Sequence, residues 1–551
     1  MPPTLGGPGA SSRLSGRAGG GASRLRRLTT PGGILLVAVL VLCALPVTSS
    51  IRDPDFWWHL RTGQLILDHH ALIQTDPYTY TASSHHWTMH EWLTEVLFAG
   101  LNHLGGLAMV VVVLSITTWV GLLFVLLRAL LRKPGYVAAA AGLLLATIAG
   151  YPVWGPRAQM ITFALTCLLL FVVDRHLERG GRAIWLLVPL FLVWSNLHSG
   201  FIIGAAFLGI ITAVEVGLAL VGRSQVDPAR LRTLVYVLIG CLAVVVINPN
   251  GPHIYLYPFE TQGSAAQQSL ILEWHSPDFH DTAVRAFEAM LLTLAIMLAI
   301  TRRIRPRDLV LVLGTTAMAL QSVRHIALFI AAATPVWIEQ ADMVGRRIFP
   351  RVVARMELST ARVSSASARR GLLVTGVVAT ACGALVAGQL AVAAAVRPDS
   401  LTYARMYPVC AARWLDSGPS GINVFNQYGE GGYLARSIVP HGDRIFIFGD
   451  AALMGDALLN TYGDVETVRP SWERILRASH TDLVLFDAGT PVATVLAASP
   501  RWAEVYHDPF SVAFVPVDSP VRTRLPAQPT FPADSRDTCA LLDRLGLGSG
   551  S

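Results

Sequence analysis

The stretch LAMVVVVLSITTWVGLLFVLLRALLRK, residues 107–133, decides the class of fold. Residues 107–127 carry no charge. A helix rises about 1.5 Å per residue, so about 20 such residues cross a bilayer core about 30 Å thick. The run closes on Arg128, Arg132 and Lys133, the basic flank typical of a cytosolic helix end. Working outward, similar runs occupy about 34–50, 136–153, 158–176, 183–197, 200–221, 231–248, 284–301, 308–322, 325–339 and 371–396. The expected fold is therefore an α-helical polytopic membrane protein of about 11 spans. Composition agrees. Of 551 residues, 53% are hydrophobic and 14% charged, against about 25% charged in soluble domains. An ordinary soluble enzyme and a disordered chain are excluded.

The charge pattern sets an expected orientation. With the N-terminus inside, the cytosolic connections are Arg128–Lys133, Arg175–Arg182, Arg223–Arg232, Arg302–Arg307 and Arg346–Arg370, and every one is basic. The net charge of +7 is thus a topology signal, and no nucleic-acid partner is expected. Lys133 is the only lysine, so a preference for arginine carries no meaning at any single site. The other face holds 51–106, 154–157, 198–199, 249–283, 323–324 and everything after 397. These loops contain most of the His, Trp, Asn and paired acids. Any chemistry is expected there.

The expected domains are a disordered cytoplasmic leader at 1–33, with a retained signal anchor after it, and a transmembrane module at 34–340 with a large first external loop at 51–106. A basic cytoplasmic loop at 341–370 and a last helix at 371–397 follow. The tail at 398–551 reads as an extracytoplasmic α/β domain. Its strand-like runs are Ile422–Asn426, Arg444–Phe448, Leu483–Asp487 and Val512–Val517, with a helix at Ser471–Ala478, a pattern expected to give a mostly parallel sheet. Cys43, Cys167, Cys241 and Cys382 lie in apolar runs. Cys410 and Cys539 lie in the tail, where an oxidising compartment would let them pair.

The first external loop reads Asp53-Pro-Asp-Phe-Trp-Trp-His-Leu60, then Asp76-Pro-Tyr-Thr-Tyr-Thr81, then His90-Glu-Trp-Leu93. Asp53 and Asp55 follow the first span directly. A carboxylate at the membrane boundary can serve as a general base or a metal ligand, and it can equally end a helix and face water. Trp57, Trp58, Trp87 and Trp92 are expected to anchor the loop at the lipid interface, with an amphipathic helix from Trp92 lying on the membrane. Four further external segments add polar groups: Gly155-Pro-Arg-Ala-Gln159, Trp194-Ser-Asn-Leu-His-Ser199, Asn248-Pro-Asn-Gly251 and Glu273-Trp-His-Ser-Pro-Asp278. Arg324-His325 opens a span. Asn196, His198 and Glu273 are candidates to line a site, although turns and helix caps use the same residue types. Arg157 and Arg324 stand on the external face against the charge trend, and the guanidinium fork suits phosphate oxygens. Asn426-Gln-Tyr-Gly-Glu-Gly-Gly-Tyr433 looks superficially like a nucleotide loop. It lacks the lysine of a phosphate-binding loop and is read as a tight strand-to-helix turn.

Taken together, Asp53-x-Asp-x-Trp-Trp-His-Leu, Asp76-Pro-Tyr-x-Tyr-Thr, Trp87-x-x-His-Glu-Trp-Leu, Arg157-x-Gln, Asn196-Leu-His-x-Gly, Asn248-Pro-Asn-Gly, Glu273-Trp-x-Ser-Pro and Arg324-His resemble a group of bacterial multi-span membrane proteins. That group in turn is similar to the GT-C glycosyltransferases, such as the protein mannosyltransferases, the aminoarabinose transferases and the oligosaccharyltransferases. The resemblance implies transfer of a sugar from a polyprenyl-phosphate-linked donor to a glycan, lipid or protein acceptor outside the cytoplasm, at a bacterial plasma membrane. It gives Asp55, or Asp53, the role of base or ligand of a divalent cation (magnesium or manganese), and Glu91 that of a second acid. Arg157, Arg324 and His325 would hold the donor phosphate, and His59 and His198 would orient substrate. The rival readings are a lipid-linked glycan transporter or flippase and a non-catalytic membrane scaffold. A transporter places polar groups through the bilayer midplane, whereas here they gather at the external helix ends.

Overall fold

The structure, a computed structural model, describes residues 29–357, 365–397, 399–530, 535 and 537–544. Most of the expected disordered leader, and residues 358–364 of the basic connection, lie outside the described residues.

Each apolar run is helical. Among the described residues, five helices are long and apolar enough to cross a membrane: Trp92–Leu131, Gln159–Arg179, Phe201–Leu220, Thr282–Thr301 and Arg369–Ala394. Pro31–Val47, Tyr136–Ala149 and Arg182–Leu197 are shorter apolar helices. Pro228–Val244, Pro306–Gln321 and Ile326–Ile348 account for the remaining runs. Starts follow local chemistry. Thr30 caps the Pro31–Leu42 helix through Oγ1, which accepts the Gly33 N–H at 3.1 Å, and Asp227 caps Pro228–Val244 in the same way. Each has proline in its first turn, where a missing N–H is harmless. The amphipathic helix expected from Trp92 is present. It breaks at Gly105 and Gly106, the latter at φ 65°, and so can leave the axis of the span that follows.

The basic connections are more than a topology signal. Arg128, Arg132 and Arg307 turn inward onto Asp174, Asp308, Glu215 and Glu339. Arg128 Nε lies 2.8 Å from Asp174 Oδ2, Arg132 Nη2 2.9 Å from Asp308 Oδ2, and Arg132 Nη1 2.8 Å from Glu339 Oε2. Arg307 pairs with Glu215, and Arg128 Nη1 also donates to the Ala331 carbonyl at 3.1 Å. Five helices are tied together at this one end.

The tail forms a five-stranded sheet from β1 (Asn423–Asn426), β2 (Arg444–Ile445), β3 (Leu483–Asp487), β4 (Trp502–His507) and β5 (Ser511–Pro516), in the order β2-β1-β3-β5-β4. The β2-β1-β3 half is parallel, and β3-β5 and β5-β4 are antiparallel. The expectation of a mostly parallel sheet is corrected. It missed β4, whose alternation is blurred by charge and whose hairpin with β5 turns on Asp508, which accepts the Phe510 and Ser511 N–H groups at 2.8 Å each. Cys410 and Cys539 form a disulfide.

The 51–106 loop docks on this sheet. Tyr80 N–H donates to the Ile445 carbonyl at 3.1 Å and Ile445 N–H to the Tyr78 carbonyl at 3.2 Å, so the loop adds a short parallel bridge at the β2 edge. The tryptophans go with it. Trp57 and Trp58 lie on a helix, Phe56–His69, and with Trp87 they are buried in protein. Trp57 meets Tyr403, Tyr407 and Tyr433 edge-on. This corrects the expected lipid-interface role for all but the half-buried Trp92. A buried aromatic removes about 150–250 Å² from water, which at about 25 cal/mol/Å² is about 4–6 kcal/mol each. Loop and tail domain thus share one core.

Candidate functional site

The site begins where the first span ends. Asp53 Oδ1 accepts the Asp55 N–H at 3.1 Å, a local turn that leads into the Phe56–His69 helix. Asp55 accepts the Trp58 indole N–H at 3.1 Å, one helical turn on. Asp53 Oδ2 faces Arg157 Nε at 3.3 Å. Burial, and then the Asp53 charge, push the Asp55 carboxyl up to about 8, against the Trp58 hydrogen bond. Two carboxyls this close do not both ionise readily. Burial raises Asp53 as well, with Arg157 pulling it back down, and Asp55 is the carboxyl held up to about 8, so it carries its proton below that pH.

Arg157, immediately before the Gln159–Arg179 helix, is enclosed by acceptors. Its Nη1 and Nη2 each lie 2.7 Å from a Glu273 oxygen, and its Nε donates to Gln159 at 3.0 Å. Burial alone would raise Glu273, but Arg157 pulls it down to about 2, with help from Arg324. Arg324 sits over the Trp274 ring, 5.0 Å from its centroid. Asp53, Asp55, Arg157, Glu273 and Arg324 therefore form one group.

A second group adjoins it. Glu91 Oε1 lies 3.1 Å from His90 Nε2 and 3.4 Å from His198 Nε2, and Glu91 Oε2 lies 3.5 Å from His59 Nε2. His198 Nδ1 accepts the Gly200 N–H at 2.8 Å, so the His198 proton is on Nε2, facing Glu91. Burial holds His59 and His198 neutral, at about 4. Burial also works against Glu91, but the three imidazoles outweigh it and keep the carboxylate ionised. His90 overcomes its own burial and is raised by Glu91. One turn along, Glu95 places Oε1 3.4 Å from His59 Nδ1. Burial, with Glu91 nearby, raises Glu95 well above the usual carboxylate range. A neutral Glu95 can donate to His59, whose opposite nitrogen then points its proton at Glu91.

Not every candidate faces this centre. His325 Nδ1 donates to the Met318 carbonyl at 3.2 Å, so its ring is turned to the backbone of the preceding helix. Asn196 accepts from Trp92 Nε1 at 2.9 Å and donates to the Leu192 and Ile247 carbonyls. It ties the 194–199 turn to the Trp92 helix and to the end of Pro228–Val244. These hydrogen bonds lie outside the two groups described above.

Sequence reasoning missed the contribution of the tail domain. A Cβ on Gly449 would fall 1.6 Å from Asp55 Oδ1, and one on Gly432 would fall 2.3 Å from the Pro54 carbonyl oxygen. Gly432, after β1, and Gly449, after β2, thus form a seat for the Asp53–Asp55 segment. Tyr428 donates to the Gly449 carbonyl at 3.1 Å. Asp450 accepts the Trp87 indole N–H at 2.7 Å. His90, Glu95 and Asp450 were also missed. Two left a signal: His90 stands beside Glu91 in the quoted motif, and Glu95 follows four residues after Glu91 on one helix face.

A divalent cation needs several oxygen ligands. Asp53 and Asp55 offer two carboxyls, one of them engaged by Arg157. Among the described residues no group of three or more His, Cys, Asp or Glu is arranged to hold a metal ion. The residues present do not fit such a site.

No protein-family model and no curated protein matches the sequence. Solved structures do match in fold. The apo oligosaccharyltransferase of Archaeoglobus fulgidus superposes with a TM-score of 0.55 at 12% identity, over 83% of this chain and 69% of that one. The oligosaccharyltransferase AglB from the same organism, in complex with an inhibitory peptide and a dolichol-phosphate, gives 0.52 at 11% identity over the same shares. ArnT from Cupriavidus metallidurans, bound to undecaprenyl phosphate, gives 0.46 at 13% identity over 88% of this chain and 98% of that one. This chain, with its many apolar helices, therefore shares the fold of these two oligosaccharyltransferase structures.

Proposed function

We propose that the protein is a membrane glycosyltransferase that moves a sugar from a polyprenyl-phosphate-linked donor to a hydroxyl-bearing or amide-bearing acceptor (glycan, lipid or protein) on the extracytoplasmic side. The observation that carries this reading is that Asp55, its carboxyl raised to about 8, lies beside the Asp53–Arg157 ion pair and the half-buried cation Arg324 at one end of the helical bundle. A fold relative that holds dolichol-phosphate is consistent with a lipid phosphate as leaving group. The reading keeps the N-terminus cytoplasmic, the 34–340 module as the catalytic body and the tail domain outside as its cover.

The chemistry follows from charge. The acceptor heteroatom attacks the anomeric carbon and its proton passes to ionised Asp55. The bond from that carbon to the phosphate oxygen breaks, and the phosphate keeps the electron pair. The charge that grows on the leaving oxygen is met by Arg157 and Arg324 in a partly dry site, where fixed cations act strongly. Glu91, with His59, His90 and His198, forms a hydrogen-bonded wall that can orient sugar hydroxyls.

Two outcomes test the reading. Asp55 must be ionised to accept a proton, and its pKa is about 8. Transfer should therefore rise about tenfold per pH unit at low pH and level off above about 8. A rate that is flat from pH 6 to 9 in purified protein would count against Asp55 as the base. Gly449→Ala should lower kcat on the order of tenfold to a hundredfold, because the new methyl displaces the Asp55 carboxyl. Gly489→Ala, where a Cβ meets nothing within 4 Å, is the control and should match the wild type. Equal turnover in all three would refute the Gly449 contact.

A further inference from the structure

The two cations that the proposed reaction uses for phosphate are both occupied. Glu273 sets both carboxylate oxygens against the Arg157 fork at 2.7 Å. Arg324 is covered by the Trp274 ring at 5.0 Å. These two blocking residues are consecutive, on the single turn Leu272–Trp274. A carboxylate in a guanidinium fork makes the same pair of charge-assisted hydrogen bonds that two phosphate oxygens would make.

The turn is clipped in place and lightly covered. Ser322 Oγ donates to the Glu273 carbonyl at 2.8 Å, and Val323 N–H donates to the His275 carbonyl at 3.0 Å. Both clips come from the residues just before Arg324. The outer side is open: Leu272 is 79% exposed. The Glu273 side chain is 39% exposed, against 7% for its fellow ligand Asp53. Departure breaks one ion pair, one cation–π contact and these two clips, and uncovers the half-buried Trp274. Asp53, by contrast, is also held by the Asp55 N–H at the start of the Phe56–His69 helix.

We infer that Leu272–His275 is a latch in which the Glu273 carboxylate stands in for the phosphate of a lipid-linked ligand and must swing off Arg157 before that phosphate binds. The inference rests on the proposed glycosyl-transfer reading and adds the regulation of its phosphate site. Its consequence is quantitative. A site open in only a fraction of molecules shows an affinity reduced by that fraction. A latch closed in about nine molecules of ten hides about tenfold in affinity.

The test is equilibrium binding to the full-length protein in nanodiscs, with polyprenyl phosphate in one arm and inorganic phosphate in the other. The variants are wild type, Glu273→Gln, Glu273→Ala, Glu273→Asp and Arg157→Gln. The expected order in the polyprenyl phosphate arm has both Glu273→Gln and Glu273→Ala about tenfold tighter than wild type, Glu273→Asp near wild type and Arg157→Gln weaker. The same order with inorganic phosphate would show that the latch guards the phosphate group itself. The order in the lipid arm alone would show that the guarded ligand must also carry its chain. Glu273→Gln and Glu273→Ala binding no tighter than wild type, while Arg157→Gln still loses binding, would overturn the latch and leave the glycosyltransferase reading standing. No binding of either probe by any variant would overturn that reading and the latch with it.

Discussion

Asp55→Asn is expected to cut sugar transfer by about 10²–10⁴-fold, the range a positioned base contributes, with the donor lipid still bound. The amide keeps the shape of the side chain, so the Trp58 indole retains an acceptor and the Gly449 backbone retains its neighbour. Only proton acceptance is removed. Donor affinity should stay within about twofold of wild type, because Arg157 and Arg324 are untouched and the phosphate contacts determine lipid binding. Asp53→Asn should behave differently. It leaves the Arg157 guanidinium short of one of its two carboxylate partners, so donor affinity shifts along with rate. Full turnover in Asp55→Asn would remove Asp55 from the chemistry.

Arg128→Met is expected to destabilise the bundle by about 3–5 kcal/mol, the usual result of removing one partner from a buried ion pair. Arg128 is 1% exposed, and it meets Asp174 at 2.8 Å and Asp308 at 3.3 Å. Its loss leaves two buried carboxylates sharing Arg132 and Arg307. The paired change Arg128→Met with Asp174→Leu should recover most of the stability, since it removes the opposing charge as well. Thermal unfolding in one detergent decides this, and a midpoint unmoved by the single change would contradict it. The cluster also bears on the site. The Trp92–Leu131 helix starts next to Glu91 and ends at Arg128, and Gln159–Arg179 starts two residues after Arg157 and carries Asp174. Phe201–Leu220 starts beyond His198 and carries Glu215, and Ile326–Ile348 starts beyond Arg324 and carries Glu339. Arg157 and Asp174 are 17 residues apart, about 25 Å along a helix. The charge cluster thus fixes, from the far end, the helices that hold the site.

Hydropathy located the helices because a chain in lipid must satisfy its backbone within each span, so the signal is local and long. Alternation of basic and polar loops then brought Asp53, Arg157, Glu273 and Arg324 to one face, and the structure pairs Arg157 with Asp53 and Glu273 and sets Arg324 against the neighbouring Trp274. What stayed illegible depends on partners far away in the chain. A tryptophan-rich external loop reads the same under lipid as under protein, and the cover for Trp57 comes from Tyr403, Tyr407 and Tyr433, some 350 residues later in the sequence. The inward turn of Arg128 and Arg132 is hidden for a related reason: basic residues at a cytosolic end satisfy the topology rule whether or not they find acids. His325 and Asn196 have the right chemistry in the right loop, but their hydrogen bonds close on nearby backbone, which side-chain type alone cannot reveal. The glycines after β1 look like a phosphate cradle because close approach of any group requires glycine, and here the group that meets Gly432 is the Pro54 carbonyl.

The central claim is bond cleavage at the external face. It is tested most directly with a polyprenyl-phosphate-linked sugar labelled separately in the sugar and in the phosphate, presented to the purified protein in proteoliposomes with an external acceptor pool. The expected result is that the two labels part, the sugar label on acceptor and the phosphate label on free polyprenyl phosphate, and that Asp55→Asn abolishes the separation. Labels that stay together while the intact lipid crosses the bilayer would contradict it and make the protein a transporter.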